Sequence, residues 1–200
     1  MHFENYTVKR LWVKLALQFH KLWDIVTGNT VSWMQQTERL LAMYDARSVA
    51  NEFLKVAASN GRVLTNMQLQ KLVYIAHGYS LAILDKPLIR QRVEAWRYGP
   101  VIEVLYHAFR QYGSSVVKRP VNIIPEEELS ETDHALVSSV ESAYSQFSGP
   151  QLSTMTHREG TPWREVYDPG ASFHNDTISD PLIKKHYVAL LHERAGINPA

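Results

Sequence analysis

The sequence predicts a mainly α fold of the α+β class. We expect a compact single helical domain with a small antiparallel β element, preceded by an N-terminal amphipathic helix. Two observations lead to this prediction. Apolar residues recur at three- and four-residue spacing in several segments that open with helix-capping signals, and only short β-branched runs stand between these segments. The composition agrees, because 200 residues with 45% apolar and 20% charged side chains are typical of a globular domain.

The N-terminal segment, residues 8–26, has the pattern of a basic amphipathic helix. Such a helix packs on its own domain, lies on a membrane surface or docks on a partner, and the sequence leaves these interpretations open. A further interpretation treats residues 1–42 as a leader that is not translated, with Met43 as the true start, because Glu38 and Arg39 could be encoded by a purine-rich ribosome-binding sequence. We therefore divide the chain into an extension (1–43), a domain (44–192) and a tail (193–200).

The first two helices of the domain are predicted from their N-terminal ends. Asp45 can cap the first helix. Thr65 and Gln68 have the spacing of a capping box, which opens the second helix. In that second helix we expect His77 to be a hydrogen-bonded structural histidine, and Gly78 to let a neighbouring element approach closely.

The middle of the domain is predicted to hold the β element. Residues 88–97 alternate weakly and can form a strand or one arm of a hairpin. The β-branched residues in 116–117 and 121–124 are expected to pair with that arm in a small sheet. Pro100 suits the first turn of a third helix, which would stop at Gly113.

The last third of the domain contains further helix signals. The expected features are a fourth helix that begins at Ser130-x-x-Asp133 and ends at Gly149-Pro150, a short helix to about His157, another helical turn from Pro162-Trp163, and a final helix capped by Asp180-Pro181. No internal repeat is visible, so these helices belong to one domain rather than to a helical array.

Charge is segregated along the chain although the totals nearly cancel, with 21 basic and 20 acidic side chains. A dedicated nucleic-acid binder usually has a larger basic excess. Residues 86–119 carry seven bases against two acids, and residues 120–157 carry six acids and no Lys or Arg. As a hypothesis, the two blocks form opposite faces that steer a charged partner. The alternative is that they neutralise each other within the fold.

Several kinds of chemistry are missing from the sequence. It contains no cysteine, which excludes disulfides, thiolate metal sites and cysteine nucleophiles. It also lacks a phosphate-binding loop and a nucleophile-elbow motif. We therefore predict that the protein is not an enzyme and uses no cofactor, the alternative being an enzyme of an unfamiliar kind. No apolar run is long enough for a transmembrane segment and no secretory signal is convincing, so a cytoplasmic location is expected.

One segment invites a metal-site interpretation. His157 and Glu159 are possible ligands, and His174 or His186 could provide a third. Metal ligands on one helix are usually three or four residues apart, and no HExxH motif occurs, so no metal is predicted. We expect His157 and Glu159 to close the end of a helix instead.

Three segments, in a fixed order, carry a resemblance to a known family. They are residues 69–79 (LQKLVYIAHGY), 94–101 (EAWRYGPV) and 156–163 (THREGTPW). With these segments, residues 44–190 resemble the Panacea domain, also called the SocA-like or phage-associated GepA-like family. The extension lies outside the resemblance.

The resemblance implies an antitoxin of a type II-like bacterial or phage (prophage) toxin–antitoxin system, which neutralises a co-encoded toxin by direct protein binding. One branch of the family consists of proteolytic adaptors that deliver the toxin to ClpXP, and this is the first alternative. The second alternative is regulation of the operon by DNA binding, in which Arg92, Arg97 and Arg110 would lie near a DNA backbone. The family has no catalytic residues that could be transferred to this chain, and the oligomeric state stays open.

The candidate site residues gather around the second of the three segments. The candidates for toxin binding are Lys71, Trp96, Arg97 and Tyr98. The alternatives are that Trp96 belongs to the core and that Lys71 snorkels or pairs with an acid. The candidates for structural roles are Gly99 and Pro100, which would form a rigid strand-to-helix elbow, together with His157, Glu159, Pro162 and Trp163.

Overall fold

The computed structural model of the chain describes residues 43–123, 127–170 and 176–195. The predicted helix 8–26 lies outside the described residues, as do His174 and residues 196–200 of the tail. Within the described residues, helices dominate and a small antiparallel sheet of three strands accompanies them. The predicted fold class is therefore confirmed.

Helices α1 (Ala46–Ser59) and α2 (Asn66–Ile83) begin where the capping signals place them. The side chain of Asp45 accepts a hydrogen bond from the backbone N–H of Arg47, and Thr65 forms the predicted capping box with Gln68. Most residues of α2 are buried, on every side of the helix. A helix that is buried nearly all round lies inside a domain, so α2 is the central helix of this one.

The sheet consists of β1 (Val93–Trp96), β2 (Gly99–Val101) and β3 (Thr177–Ile178), in the order β2-β1-β3 with antiparallel pairing. The expectation that residues 116–117 and 121–124 pair with β1 is wrong for the part of them that the structure describes, residues 116–117 and 121–123. Val117 instead donates its backbone N–H to Leu64 at 2.8 Å, beside α2. β-branched residues favour an extended backbone but do not select the partner strand, and a two-residue strand such as β3 has no periodicity to detect.

Pro100 lies in β2 and not in the first turn of a helix, so the predicted strand-to-helix elbow is wrong. Helix α3 (Glu103–Phe109) begins after Ile102, and a 3₁₀ turn from Arg110 follows it and stops at Gly113 as predicted. β2 is an edge strand of the sheet, where a residue without a backbone N–H is tolerated.

Helix α4 (Glu131–Tyr144) is capped by Ser130, whose side chain accepts a hydrogen bond from the backbone N–H of Asp133, as predicted. The predicted end of this helix is wrong. α4 stops at Tyr144, and Gly149-Pro150 opens helix α5 (Gly149–Thr156), which Ser148 caps with a box of its own. Proline is suited to the first turn of a helix as well as to the position after one, so a Gly-Pro pair does not by itself distinguish a stop from a start.

The chain continues through helix α6 (Pro162–Val166) and helix α7 (Asp180–Arg194), both in the predicted places. The cap of α7 is Ser179 and not Asp180, which is the first helical residue. Helix α2 packs against α7, α4, α5 and α1, so the apolar residues of α2 form the centre of the core. No helix in the described part of the chain is long and apolar enough to cross a bilayer.

Among the described residues, the two charge blocks contact each other at two ion pairs. Arg90 binds Glu127 at 2.6 Å, and Lys86 binds the fully buried Asp133 at 2.8 Å. Asp133 also accepts a hydrogen bond from the hydroxyl of Tyr44. For these residues the blocks neutralise each other within the fold, so their charges add little to a long-range field.

Candidate functional site

The most exposed part of the sheet is the turn between β1 and β2. Trp96 pairs with Gly99, so Arg97 and Tyr98 alone connect the two strands. Both side chains are exposed, and Tyr98 keeps 61% of its surface accessible to solvent. The guanidinium of Arg97 lies 5.6 Å from the centre of the Tyr98 ring. The tip of this hairpin, residues 96–99, thus presents a cation and an aromatic ring side by side.

Lys71 on α2 supports the base of this hairpin from below. Its Nζ donates a hydrogen bond to the backbone carbonyl of Pro100 at 2.8 Å, and its side chain is buried. It forms no ion pair with any of the described residues, so the expectation that it snorkels or pairs with an acid is wrong. Burial lowers the pKa of Lys71 to about 7. Lys71 lies beneath the tip and is not part of the surface that the tip presents.

Gly99 is the position at which the hairpin approaches Lys71 most closely. Its φ is +101°, a conformation that L side chains rarely adopt, in agreement with the predicted positive φ. A Cβ atom at this position would lie 2.7 Å from Lys71 Nζ and 2.9 Å from Thr156 Oγ1. Both the backbone conformation and the available space therefore require glycine here.

Two side chains from the α5–α6 region bind the carbonyl groups of the turn. Ser153 Oγ donates to the Tyr98 carbonyl at 2.9 Å, and Trp163 Nε1 donates to the Trp96 carbonyl at 2.8 Å. Segments 69–79, 94–101 and 156–163, far apart in sequence, thus meet at this hairpin. The sequence showed the three segments but not their contact.

His157 and Trp163 form a stacked pair below the hairpin. Their ring centroids are 3.8 Å apart with an interplanar angle of 13°, and the Tyr167 ring also stacks on Trp163, with centroids 4.5 Å apart. His157 is the C-cap of α5 and Trp163 is buried. Burial, and then the charge of Lys71, lower the pKa of His157. These contacts agree with a structural role for both residues.

The remaining residues of the third segment do not gather around a metal position. Glu159 is exposed and pairs with Arg164 at 3.0 Å, and Pro162 is buried at the start of α6. The His186 ring donates to the Gly160 carbonyl at 3.2 Å. Among the residues that the structure describes, no group of three or more His, Cys, Asp or Glu side chains could hold a metal ion.

Trp96 lies at the boundary between the core and the surface. It is half-buried, and its ring packs against Tyr106 of α3 with centroids 5.1 Å apart. Its Nε1 donates at 2.9 Å to Glu94, a fully buried carboxylate that also binds Arg92 Nε at 2.7 Å. No local signal marks Glu94 as buried, because alternation of apolar and charged residues in a strand ordinarily places the charged side chain on the solvent face.

His77 and Gly78 on α2 hold the opposite side of the central helix. His77 Nε2 lies 3.0 Å from Asp180 Oδ1, and Nδ1 accepts from the backbone N–H of Leu88 at 3.3 Å. A Cβ atom at Gly78 would overlap the ring of Tyr187 on α7. The predicted structural histidine and the predicted close approach are both confirmed.

Known proteins resemble this chain over most of its length. A family described as "Antitoxin SocA-like, Panacea domain" matches residues 69–164, which include Lys71, the hairpin and Trp163. Antitoxin SocA of Caulobacter vibrioides (strain NA1000 / CB15N) is 32% identical over 154 residues, or 72% of this chain and 82% of that protein. No solved structure matches the chain.

Proposed function

The chain belongs to the antitoxin SocA-like family of Panacea domains, and from this premise we propose that it is an antitoxin that neutralises a co-encoded bacterial or phage toxin by direct binding. The antitoxin role follows from the family. The finer statements, that neutralisation needs no catalysis and works by occluding the toxin, are the proposal.

The observation that carries this proposal is the contrast between the base and the tip of the hairpin. Side chains from α2, α5 and α6 bind the backbone carbonyls of Trp96, Tyr98 and Pro100. The tip itself is exposed and offers Arg97 and Tyr98. Tyr, Trp and Arg are the residues that most often dominate the energy of protein interfaces. A loop that is rigid before binding also loses little conformational entropy when its partner arrives.

The side chains at the hairpin tip and Lys71 beneath it then have different parts in toxin binding. Arg97 and Tyr98 contact the toxin, and the accessible edge of Trp96 extends the contact toward α3. Lys71 is a positioning residue, because it reaches the interface only through the Pro100 carbonyl. The toxin is occluded when this surface covers the part of it that acts on its target.

The experiment is co-expression with the neighbouring gene, with growth and complex formation measured together. We expect the wild-type chain to restore growth and to bind the purified toxin in isothermal titration calorimetry. Arg97→Glu and Tyr98→Ala should each weaken binding about tenfold or more. The thermal midpoint should change little, because exposed substitutions away from special contacts move stability little.

The matched control is Lys185→Glu, the same charge reversal at an exposed lysine of α7. It should leave growth rescue and affinity unchanged. Failure of the wild-type chain to restore growth would contradict the antitoxin proposal. Rescue that persists in both hairpin variants would instead move the toxin contact elsewhere on the domain.

The same experiment separates the two alternative mechanisms. Delivery to ClpXP predicts that protection is lost in a host without that protease, whereas occlusion predicts that it persists. Regulation by DNA binding predicts a gel shift with the upstream operon DNA that Arg97→Glu or Arg110→Glu abolishes. Arg92 is less suited to a DNA contact than the sequence suggested, because Glu94 already binds its guanidinium.

A further inference from the structure

A second surface lies on another part of the domain, along the C-terminal half of α1. It is a groove of about 430 Å³ between this helix, the connection to α2 and the segment 116–120. We call it the α1 groove. Its lining includes Leu54, Lys55, Arg62, Val63, Lys118 and Arg119.

The walls of the α1 groove are held by hydrogen bonds. Val117 donates its backbone N–H to the Leu64 carbonyl at 2.8 Å, which joins the outer wall to the start of α2. The side-chain amide of Asn51 binds both the N–H and the carbonyl of Val121, at 2.8 and 2.7 Å, and closes one end. The groove therefore exists before any partner binds.

The floor of the α1 groove is aliphatic and partly open to solvent. Leu64 and Val117 are buried beneath it, whereas Val63 keeps 67% of its surface accessible, the most of any large apolar side chain in the described residues. Leu54 and Ala58 on α1 complete this floor. This aliphatic floor, open to solvent at Val63, offers hydrophobic contact to the side chains of a partner.

The rim of the α1 groove is positively charged. Among the described residues, four cations line it, Lys55, Arg62, Lys118 and Arg119, and no carboxylate does. Arg62 is neutralised by Glu141 at 2.9 Å, and Lys55 lies 3.4 Å from Glu52. Lys118 and Arg119 are exposed and form no ion pair with the described residues, so their charge is available to a partner.

We propose that the α1 groove binds an acidic amphipathic segment of a protein partner. Apolar side chains of the segment cover Val63 and Leu54, and its carboxylates pair with Lys118 and Arg119. Helix α1 runs beside the groove from Asn51 to Ala58, about two turns or roughly 10 Å, so the occupant presents a comparable length. This proposal concerns a surface other than the hairpin and does not depend on the toxin contact proposed there.

Peptide chemistry fits the α1 groove better than nucleic acid does. The rim alone could attract phosphates, because Lys and Arg neutralise them. Single strands, however, gain much of their affinity by stacking bases on aromatic side chains, and none of the described residues that line this groove is aromatic. Its aliphatic floor instead suits the leucine and isoleucine side chains of an amphipathic helix.

The test uses two fluorescein-labelled synthetic peptides and the full chain. One peptide of about four helical turns carries leucine along one face and glutamate elsewhere, and its counterpart carries lysine in place of glutamate. Fluorescence anisotropy should show the acidic peptide binding at least about tenfold more tightly than the basic one, with an affinity that falls as salt is added.

Two pairs of variants locate the binding. Val63→Asp should weaken the acidic peptide about tenfold, whereas Ile83→Asp, at an exposed apolar residue outside the groove, should not. The double variant Lys118→Glu/Arg119→Glu should weaken it at least as much, whereas Arg97→Glu on the hairpin should leave it unchanged. Because Arg97→Glu tests the toxin contact, failure of one proposal is distinguishable from failure of the other.

Three results would overturn the proposal. The first is no binding of the acidic peptide, or binding equal to that of the basic peptide. The second is that neither Val63→Asp nor the double charge reversal changes the affinity for the acidic peptide. The third is displacement of the acidic peptide by a single-stranded oligonucleotide that binds more tightly, which would assign the groove to nucleic acid.

Discussion

The ammonium group of Lys71 lies directly beneath Gly99, in the space that a side chain at residue 99 would fill. Lys71 Nζ is 2.8 Å from the Pro100 carbonyl, and a Cβ atom on Gly99 would be 2.7 Å from the same nitrogen. Lys71 can therefore reach the Pro100 carbonyl only because residue 99 has no side chain. This contact joins the first two of the three segments that identify the family, and it sets the position of the exposed Arg97 and Tyr98.

A side chain at residue 99 should destabilise the domain. Gly99→Ala places a Cβ against Lys71 and Thr156 and also strains the backbone at φ +101°. We expect a loss of about 2–3 kcal/mol in the free energy of unfolding, measured by urea denaturation. The control is Gly160→Ala, at φ +75° with no atom near its Cβ position, which should lose about 1 kcal/mol. Equal losses in the two variants would mean that contact with Lys71 contributes nothing.

The buried position of Lys71 should make stability depend on pH. Burial lowers its pKa in the folded protein to about 7, against an ordinary value of 10.5. Between these values the unfolded chain binds more protons, so the free energy of unfolding rises with pH, by at most about 1.4 kcal/mol per pH unit. Below pH 7 Lys71 is protonated in both the folded and the unfolded protein, so the free energy of unfolding is lowered by the full cost of burying its charge.

The variant Lys71→Met lacks this titration and isolates it. The free energy of unfolding of the wild type, relative to Lys71→Met, should therefore increase from about pH 7 to about pH 9.5, and tyrosine titration in the unfolded state cancels because both proteins carry the same tyrosines. His157 titrates below this window because its pKa is lowered as well. A difference between the two proteins that stays constant over this range would show that Lys71 keeps an ordinary pKa.

The two arginines of the hairpin region should differ in their effect on stability. Arg92 binds the fully buried Glu94 at 2.7 Å, whereas the guanidinium of Arg97 lies over the Tyr98 ring. Arg92→Ala leaves the carboxylate with the Trp96 N–H as its remaining partner and should cost about 1–3 kcal/mol. Arg97→Ala should stay within about 0.5 kcal/mol of the wild type. Chemical denaturation of both variants tests this prediction. Equal denaturation midpoints for Arg92→Ala and Arg97→Ala would refute a structural role for Arg92.

The contact between α2 and α7 should be sensitive to one methyl group. Gly78→Ala drives a Cβ into the Tyr187 ring, and overpacking of this kind costs about 1–3 kcal/mol. Tyr187→Leu removes the ring and is itself destabilising. In the double variant Gly78→Ala/Tyr187→Leu the loss should be smaller than the sum of the two single losses, because the clash is absent. Strictly additive losses in thermal or urea unfolding would argue against direct contact.

The candidate site was only partly predictable from the sequence. The exposed pair Arg97 and Tyr98 was named as a candidate, and its place at the tip of a turn agrees with that choice. The sequence also makes Lys71 a candidate for toxin binding, but its side chain is buried. Whether a lysine on a helix reaches solvent depends on which elements pack over it, and these are distant in sequence. The hydrogen bonds from Ser153 and Trp163 to the turn join residues more than fifty positions apart. Patterns of neighbouring residues cannot predict contacts over such a separation in sequence.

The sequence by itself determined where most helices begin, as the caps Asp45, Thr65 and Ser130 show. A cap is a contact between residues two or three positions apart, so the local sequence contains both of its partners. Only the tertiary structure decided that Pro100 lies in a strand, that β3 completes the sheet and that Lys71 faces Gly99. Each of these depends on partners distant in sequence, whose approach is set by burial of the whole core and not by the preferences of the residues themselves.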